Sequence, residues 1–289
     1  IKNLDKILFN SEWCKNRFTI GLPKIFHKVD KIDVVYQSTN KTKVDIKKKK
    51  KIITFVGKLN YSKGYDLFAK SIVKILDNFP EWSANVIGDE PRDKISLVHQ
   101  KVNHMGFQTH NKVLNIFKET SISVVCSRWD EPFGRTSLEA SSRGCAVIIS
   151  DRGGLPETTS DALILKELTS EDLYKSIEKL ILNKRYRVNL QKKSHENFYL
   201  TNEYISKKID IIRLDLFVNN VTKINKKIIK VLHITNFNER HDGRLFYNTG
   251  RRINNGFIRL NHSVLTISDR DIISYHRSLK DMDGSKKLN

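Results

Sequence analysis

From Lys51 onward, short apolar runs alternate with longer stretches in which apolar residues recur every three or four positions. The runs are Ile52–Val56, Ala84–Ile87, Val102–Met105, Ile122–Cys126, Ala146–Ser150 and Ala162–Leu165. Each is too short for a helix and is bounded by glycine or polar residues, which marks buried strands. A helical period covers Tyr65–Asn78, Asp93–Lys101, Asn111–Glu119, Ser137–Gly144 and Ser170–Asn183. Strands that are apolar almost throughout, alternating with helices, form βαβ units around a parallel sheet covered on both faces. The expected fold class is therefore α/β, a Rossmann-like doubly wound parallel sheet, with its ligand at the carboxyl ends of the strands.

The flanks follow the same logic less fully. Lys6–Asn10 reads as a strand, Ser11–Gly21 as a helix and Asp33–Tyr36 as a strand, and the first residue is not Met, so the chain is expected to enter mid-fold. A long polar and apolar helix is expected over Ser194–Phe217. After the basic stretch Lys223–Lys230, a strand at Val231–Thr235, a helix at Arg244–Leu260 and a strand at Ser263–Ser268 read as a partial second α/β domain over 230–289, joined by a linker at 218–229.

Composition narrows the partners. The 289 residues carry 52 Lys+Arg against 32 Asp+Glu, a net charge of +20. That favours an anionic partner: nucleic acid, a membrane surface or phosphate. Residues 41–51 carry +6, residues 184–193 carry +5 and residues 223–230 carry +4, so three short blocks hold +15 of the total. The charge thus reads as solvated linker and flanking segments, and the sheet domain itself is only mildly basic. Cys14, Cys126 and Cys145 are too few and too scattered for a disulfide framework or zinc module, which points to a reducing, cytoplasmic setting. No run approaches the roughly 18 apolar residues of a spanning helix.

Four loops at the expected carboxyl ends of the strands carry the candidate chemistry. Gly57-Lys58-Leu59-Asn60-Tyr61-Ser62-Lys63-Gly64 places two ammonium groups in a strand-to-helix turn, a setting for a diphosphate. Trp129-Asp130-Glu131-Pro132-Phe133-Gly134-Arg135-Thr136-Ser137-Leu138-Glu139-Ala140 leads from a strand into a helix whose first N–H groups suit a phosphate. Glu131 stands before that helix and Glu139 inside it, and each carboxylate can accept from sugar or ribose hydroxyls. Gly88-Asp89-Glu90-Pro91 and Asp151-Arg152-Gly153-Gly154-Leu155-Pro156-Glu157 complete the set.

These motifs in this order, GKLNYSKG, GDEP, EPFGRTSLEA with Glu131 and Glu139 eight positions apart, and GGLPE, resemble the carboxyl-terminal domain of family 4 glycosyltransferases of the GT-B fold. The resemblance covers about residues 1–217. It implies residues 1–38 as the end of an amino-terminal GT-B Rossmann domain, 39–51 as a basic linker and 52–217 as a donor-binding Rossmann domain with a closing helix. It implies a retaining transfer of a sugar from a nucleotide-sugar donor, UDP- or GDP-linked, to a glycan or lipid-linked acceptor in cell-surface polysaccharide or lipopolysaccharide synthesis. No metal and no other cofactor is implied. Carried over to this sequence, Lys58, Lys63 and Glu131 would serve catalysis. Lys58 and Lys63, with Gly57 and Gly134, would hold the diphosphate, and Glu131 the sugar. Glu139 would hold the ribose, and Gly88, Met105 and Gly106 would lie near the base. Phe133, Arg135 and Leu138 complete the expected donor site. The family usually has Arg where Lys58 stands, and a lysine keeps the charge without the planar two-pronged donor.

Residues 230–270 resemble, less specifically, the start of another glycosyltransferase module, with His233 and His241 as candidate acceptor-side groups. A tandem protein accounts for this better than a permuted one, because 60 residues cannot replace a Rossmann domain. The competing functional readings are a domain that binds a nucleotide sugar without transfer and a basic nucleic-acid-binding protein. The latter lacks any helix-turn-helix, zinc or aromatic signature, so nucleic acid is not expected as a partner. Asp269-Arg270-Asp271 and Asp281-Met282-Asp283 match a short acidic metal motif but fall outside the strand-and-loop frame. The expected location is the cytoplasm, with the inner face of an anionic membrane as a candidate surface.

Overall fold

Six parallel strands form the central sheet in the order β5-β4-β3-β6-β7-β8. They are β3 (Lys50–Val56), β4 (Ser83–Ile87), β5 (Val102–His104), β6 (Thr120–Val125), β7 (Ala146–Ile149) and β8 (Ala162–Ile164). The computed structural model describes residues 4–23, 31–91, 95–221, 228–235, 237 and 249–268. The sheet is the doubly wound parallel one that the apolar runs predict. Register aligns Ile53 with Ala84 on one side and with Ile122 on the other. Alternate residues therefore share a face: Ile53, Phe55, Ile122, Val124, Ala146 and Ile148 pack under α2 (Tyr65–Asn78) and α5 (Ser170–Leu182). Val147 and Ile149 pack on the other side, with Val113 and Phe117 of α3 (His110–Glu119) and Ala140 of α4 (Arg135–Ser142). Burial on both faces is why the strands read as apolar without alternation.

Strand order reverses between β3 and β6, so the loops that follow these two strands diverge around a crevice at the carboxyl edge of the sheet. Two glycines shape that edge. Gly64 has φ +70, and a Cβ there would stand 1.9 Å from the carbonyl oxygen of Cys126. Gly88 has φ +131, and a Cβ would stand 1.9 Å from the oxygen of Gly57. Only glycine lets these backbones approach so closely.

Ahead of the sheet, β1 (Ile7–Phe9) and β2 (Ile32–Val34) pair in parallel, and α1 (Glu12–Ile20) follows β1. The Glu157 carboxylate accepts from the N–H groups of Glu12 (2.7 Å) and Trp13 (2.9 Å), which fixes the start of α1 against the loop after β7.

Three elements differ from the sequence pattern. Of the helix expected over Asp93–Lys101, residues 95–101 form no helix. Burial alternates residue by residue, with Ile95 and Leu97 towards the core and Val98 84% exposed, which is the period of extended chain and leaves no helical stripe to bury. Residues 184–193, expected as a solvated basic segment, lie in helix α6 (Lys184–Glu196). Arg187 in α6 is buried, donates to the carbonyls of Leu180 (2.5 Å) and Ile181 (3.1 Å) at the end of α5, and lies over the Trp82 ring. The long helix expected over Ser194–Phe217 is broken between α6 and α7 (Asn202–Val221). There the chain buries Phe198 and Leu200 against Phe133 and Leu138, and Leu200 accepts from the Thr39 N–H (3.2 Å). Burying two large side chains outweighs helix continuity.

The lysine-rich linker is also only partly solvated. Lys49 is tucked under the sheet, donating to the carbonyls of Phe117 and Thr120 at 2.8 Å each, and burial lowers its pKa. Lys50 and Lys51 begin β3 and pair with Glu119 (2.7 Å) and Glu81 (3.6 Å). All three cysteines are free, and burial pushes the Cys126 thiol up to about 12.

The chain divides into two units, Ile1–Phe217 and Val218–Asn289. In the second, β9 (Lys230–Thr235) and β10 (Ser263–Ser268) pair in parallel around α8 (Thr249–Arg259), and His233 Nδ1 lies 3.3 Å from Asn254 Oδ1. His241 and the two Asp-x-Asp triplets lie outside the described residues. No helix among the described residues is long and apolar enough to cross a membrane.

Candidate donor site

The loop after β3 is built to present Lys63. Asn60 Oδ1 accepts from the Lys63 N–H (3.0 Å), folding Tyr61–Lys63 into a single 3-10 turn that Gly64 closes. This turn is latched to the loop after β6. The Ser62 carbonyl accepts from Arg128 N (2.9 Å), Trp129 N (3.1 Å) and Ser127 Oγ (3.1 Å). The Arg128 guanidinium grips Asp66 with both arms (2.5 and 2.8 Å) and lies 3.7 Å over the Tyr61 ring. Such bidentate pairs fix geometry as well as charge. The result is that Lys63 Nζ meets Glu131 Oε1 at 2.5 Å, with 32% of the lysine side chain and 13% of the glutamate side chain exposed.

Glu131 is itself held from below. It bridges to Gly153, and its carbonyl accepts from the Gly154 N–H (2.7 Å), so the loop after β7 supports the loop after β6. Beside this pair opens a pocket of about 380 Å³, lined by Gly57, Lys63, Glu131, Phe133, Gly134 and Arg135. Gly134 offers no side-chain cap to α4, so the helix's first N–H groups remain to be satisfied at the pocket wall. Asn10 and Gln37, from outside the sheet domain, also line it.

The other expected residues fall in three places. Gly88 and Gly106 line a second concavity of about 330 Å³ with Leu59, Asp89, Glu90 and His104. Gly88 N–H donates to Gly106 O (2.9 Å), and Met105 packs beneath, against the apolar layer of Ile87 and Val113. Glu139 is 6% exposed, and its Oε1 accepts from Arg135 Nη2 and His110 Nε2, each at 2.9 Å. Leu138 is fully buried with Phe198, Leu200 and Ile205 and lines neither concavity, while Phe133, which does line the larger one, also stacks on Tyr36 (5.6 Å). Lys58 is exposed, makes no ion pair among the described residues and is not brought to the pocket wall.

Sequence reasoning missed His110, Asn10 and Gln37. His110 opens α3 in the loop after β5, at the same sheet edge as the four loops singled out, and that placement was the available signal. Asn10 and Gln37 precede the sheet and carry no local signal.

The family model described as "Glycosyl transferases group 1" matches residues 37–197, more than half of the chain. The chain belongs to the glycosyl transferases group 1 family. Among the curated relatives of this group 1 glycosyltransferase is an uncharacterised 41.2 kDa protein in the cps region of Klebsiella pneumoniae, 31% identical over 135 residues, 46% of this chain and 37% of that one. Another is the lipopolysaccharide core biosynthesis mannosyltransferase LpsB of Rhizobium meliloti, 27% identical over 118 residues, 37% of this chain and 33% of that one. The fold is that of the Anabaena protein HepE, solved with UDP and glucose: TM-score 0.60 and 18% identity over 72% of this chain and 62% of that one. The group 1 glycosyltransferase chain thus matches about a third of the length of these curated relatives, 37% and 33%.

Proposed function

We propose that this chain is the donor half of a retaining glycosyltransferase that moves a sugar from a nucleoside diphosphate to a glycan or lipid-linked acceptor in cell-surface glycan synthesis. The observation that carries the proposal is the convergence of Lys63, Glu131 and the start of α4 on one pocket at the strand-order reversal. A pocket with a cation, an acceptor-only carboxylate and unsatisfied N–H groups suits a diphosphate joined to a polyhydroxyl ring. In the reaction, the bond from the anomeric carbon to the diphosphate oxygen breaks and its electron pair leaves with that oxygen. Lys63 and the first N–H groups of α4 stabilise the charge that develops there. The acceptor oxygen bonds to the anomeric carbon and passes its proton to the departing phosphate, while Glu131 orients the sugar. No metal or other cofactor is needed in this scheme.

UDP, GDP and ADP are the probes. At a hundredfold excess over Kd, one of them should stabilise the protein by about 2.7 kcal/mol, which for a unit of this size raises Tm by about 5–10 °C. Stabilisation by single-stranded RNA at the same ionic strength, with no response to any nucleoside diphosphate, rejects the proposal.

The proposed partners include an anionic membrane surface on the cytoplasmic side. Two basic blocks distant in sequence come together: His195 Nε2 of α6 meets Thr42 O (2.8 Å), and Lys41 Nζ donates to Glu196 O (3.2 Å). The exposed Lys43, Lys47 and Lys48 therefore lie beside the end of α6 that carries exposed Lys192 and Lys193. Each lysine near such a surface contributes about 1 kcal/mol. Co-sedimentation with vesicles should rise with the phosphatidylglycerol fraction and fall with salt; binding indifferent to anionic lipid would remove the membrane from the scheme.

A further inference from the structure

Glu139 is the buried carboxylate of α4, with 7% of its side chain exposed; Arg143 is a further cation near it, but the two side chains that donate to it, Arg135 and His110, fall on one oxygen. Arg135 Nη2, one turn earlier in α4, and His110 Nε2, from the start of α3, each lie 2.9 Å from Oε1. A carboxylate oxygen has about two lone-pair sites, so these two donors saturate Oε1. Any hydroxyl that Glu139 is to hold must then be taken by Oε2.

The two donors are not equivalent. Their side chains are about equally exposed, 54% for Arg135 and 55% for His110, but only Arg135 also lines the pocket that holds Lys63 and Glu131. A diphosphate bound in that pocket would compete with Glu139 for the Arg135 guanidinium. The His110 ring has only two side-chain torsions, is anchored at the first residue of α3 and lines neither that pocket nor the Gly88–Gly106 concavity. An ionised carboxylate can only accept, so Nε2 carries the hydrogen in this contact.

We propose that His110 is a positioning residue of the donor site: it holds Glu139 Oε1 so that Oε2 faces a ribose hydroxyl, and it thereby sets the preference for ribonucleotide over deoxyribonucleotide. This rests on the nucleotide-sugar reading above and on the ribose role that the family resemblance implies for Glu139. His110 does not touch the reacting atoms. It keeps the carboxylate rotamer fixed when Arg135 turns to the diphosphate, so its effect is felt by ribose hydroxyls alone.

The test measures Kd of the full chain for whichever of UDP, GDP and ADP binds, and for its 2′-deoxy and 3′-deoxy counterparts, in wild type, His110→Ala, His110→Gln and Glu139→Ala. Wild type should prefer the ribonucleotide over at least one deoxy form by about tenfold, the equivalent of one charge-assisted hydrogen bond of about 1.4 kcal/mol. His110→Ala should bring that ratio close to that of Glu139→Ala, with affinity for the deoxy form unchanged within about twofold. His110→Gln, whose amide nitrogen reaches the same place, should recover most of the preference. A ratio unchanged in His110→Ala, or an equal loss for every nucleotide, overturns the role of His110 alone. Absence of binding by wild type to all three diphosphates overturns the donor-site reading itself, and this inference with it.

Discussion

Replacing Lys63 with alanine is expected to raise the Kd for a nucleoside diphosphate about a hundredfold while changing that for the free nucleoside by no more than about threefold. A hydrogen bond to a charged group contributes about 1.5–3 kcal/mol, which is about ten- to a hundredfold in Kd. The upper end applies because the substitution acts twice. It removes the cation, and it leaves Glu131, with only 13% of its side chain exposed, unpaired and facing the incoming anion. The variant lacking both Lys63 and Glu131 should therefore bind the diphosphate about tenfold better than Lys63→Ala alone. If transfer is followed instead, loss of one group that stabilises the leaving oxygen should lower kcat by about 10²–10³. Isothermal titration with the diphosphate and the nucleoside separates the outcomes. An equal loss for both ligands would show that Lys63 does not meet the diphosphate.

The second large effect concerns the backbone that carries Lys63. Gly64→Ala is expected to destabilise the protein by about 4 kcal/mol or more, a lowering of Tm by about 10 °C. A methyl group at that position would stand 1.9 Å from Cys126 O and 2.9 Å from its carbonyl carbon, both backbone atoms of the central sheet's edge. The turn cannot move away cheaply, because the Ser62 carbonyl is held by three donors from the loop after β6. The control is Gly106→Ala. Gly106 also has positive φ (+61), yet a Cβ there meets nothing within 4 Å, so only the conformational cost of about 1–2 kcal/mol remains. Equal melting temperatures for the two variants would show that the close approach of the turn to Cys126 is not what fixes Lys63.

Much of this was legible in the chain because its cause is local. The strands of the sheet follow from short apolar runs, and Gly57–Gly64 and Glu131–Glu139 announce themselves by composition at strand ends. The residues whose surroundings the sequence does not announce share a different cause. Lys58 and Lys63 are equivalent by sequence, five positions apart around one turn, and only the folded turn sends Lys63 to the pocket wall and leaves Lys58 in solvent. Leu138 lies between Arg135 and Glu139, both expected at the ligand, and packs into the layer beneath α7, because each helix position is turned about 100° from the one before it. Arg187 and Lys49 look like members of solvated charge runs, yet both are spent on carbonyls at helix ends.

By itself, then, the sequence determined the kind of sheet, which edge of it carries the loops, and the residue types available there. Apolar periodicity and turn chemistry act within a few residues, and such short-range preferences can be read along the chain. Which side chains meet was decided only by the tertiary structure. Lys63 and Glu131 are 68 positions apart, His110 and Glu139 are 29 apart, and Glu12 and Glu157 are 145 apart. Their encounters depend on strand order, on register and on the reversal between β3 and β6. Those are properties of how buried faces pack together, and no local window contains them.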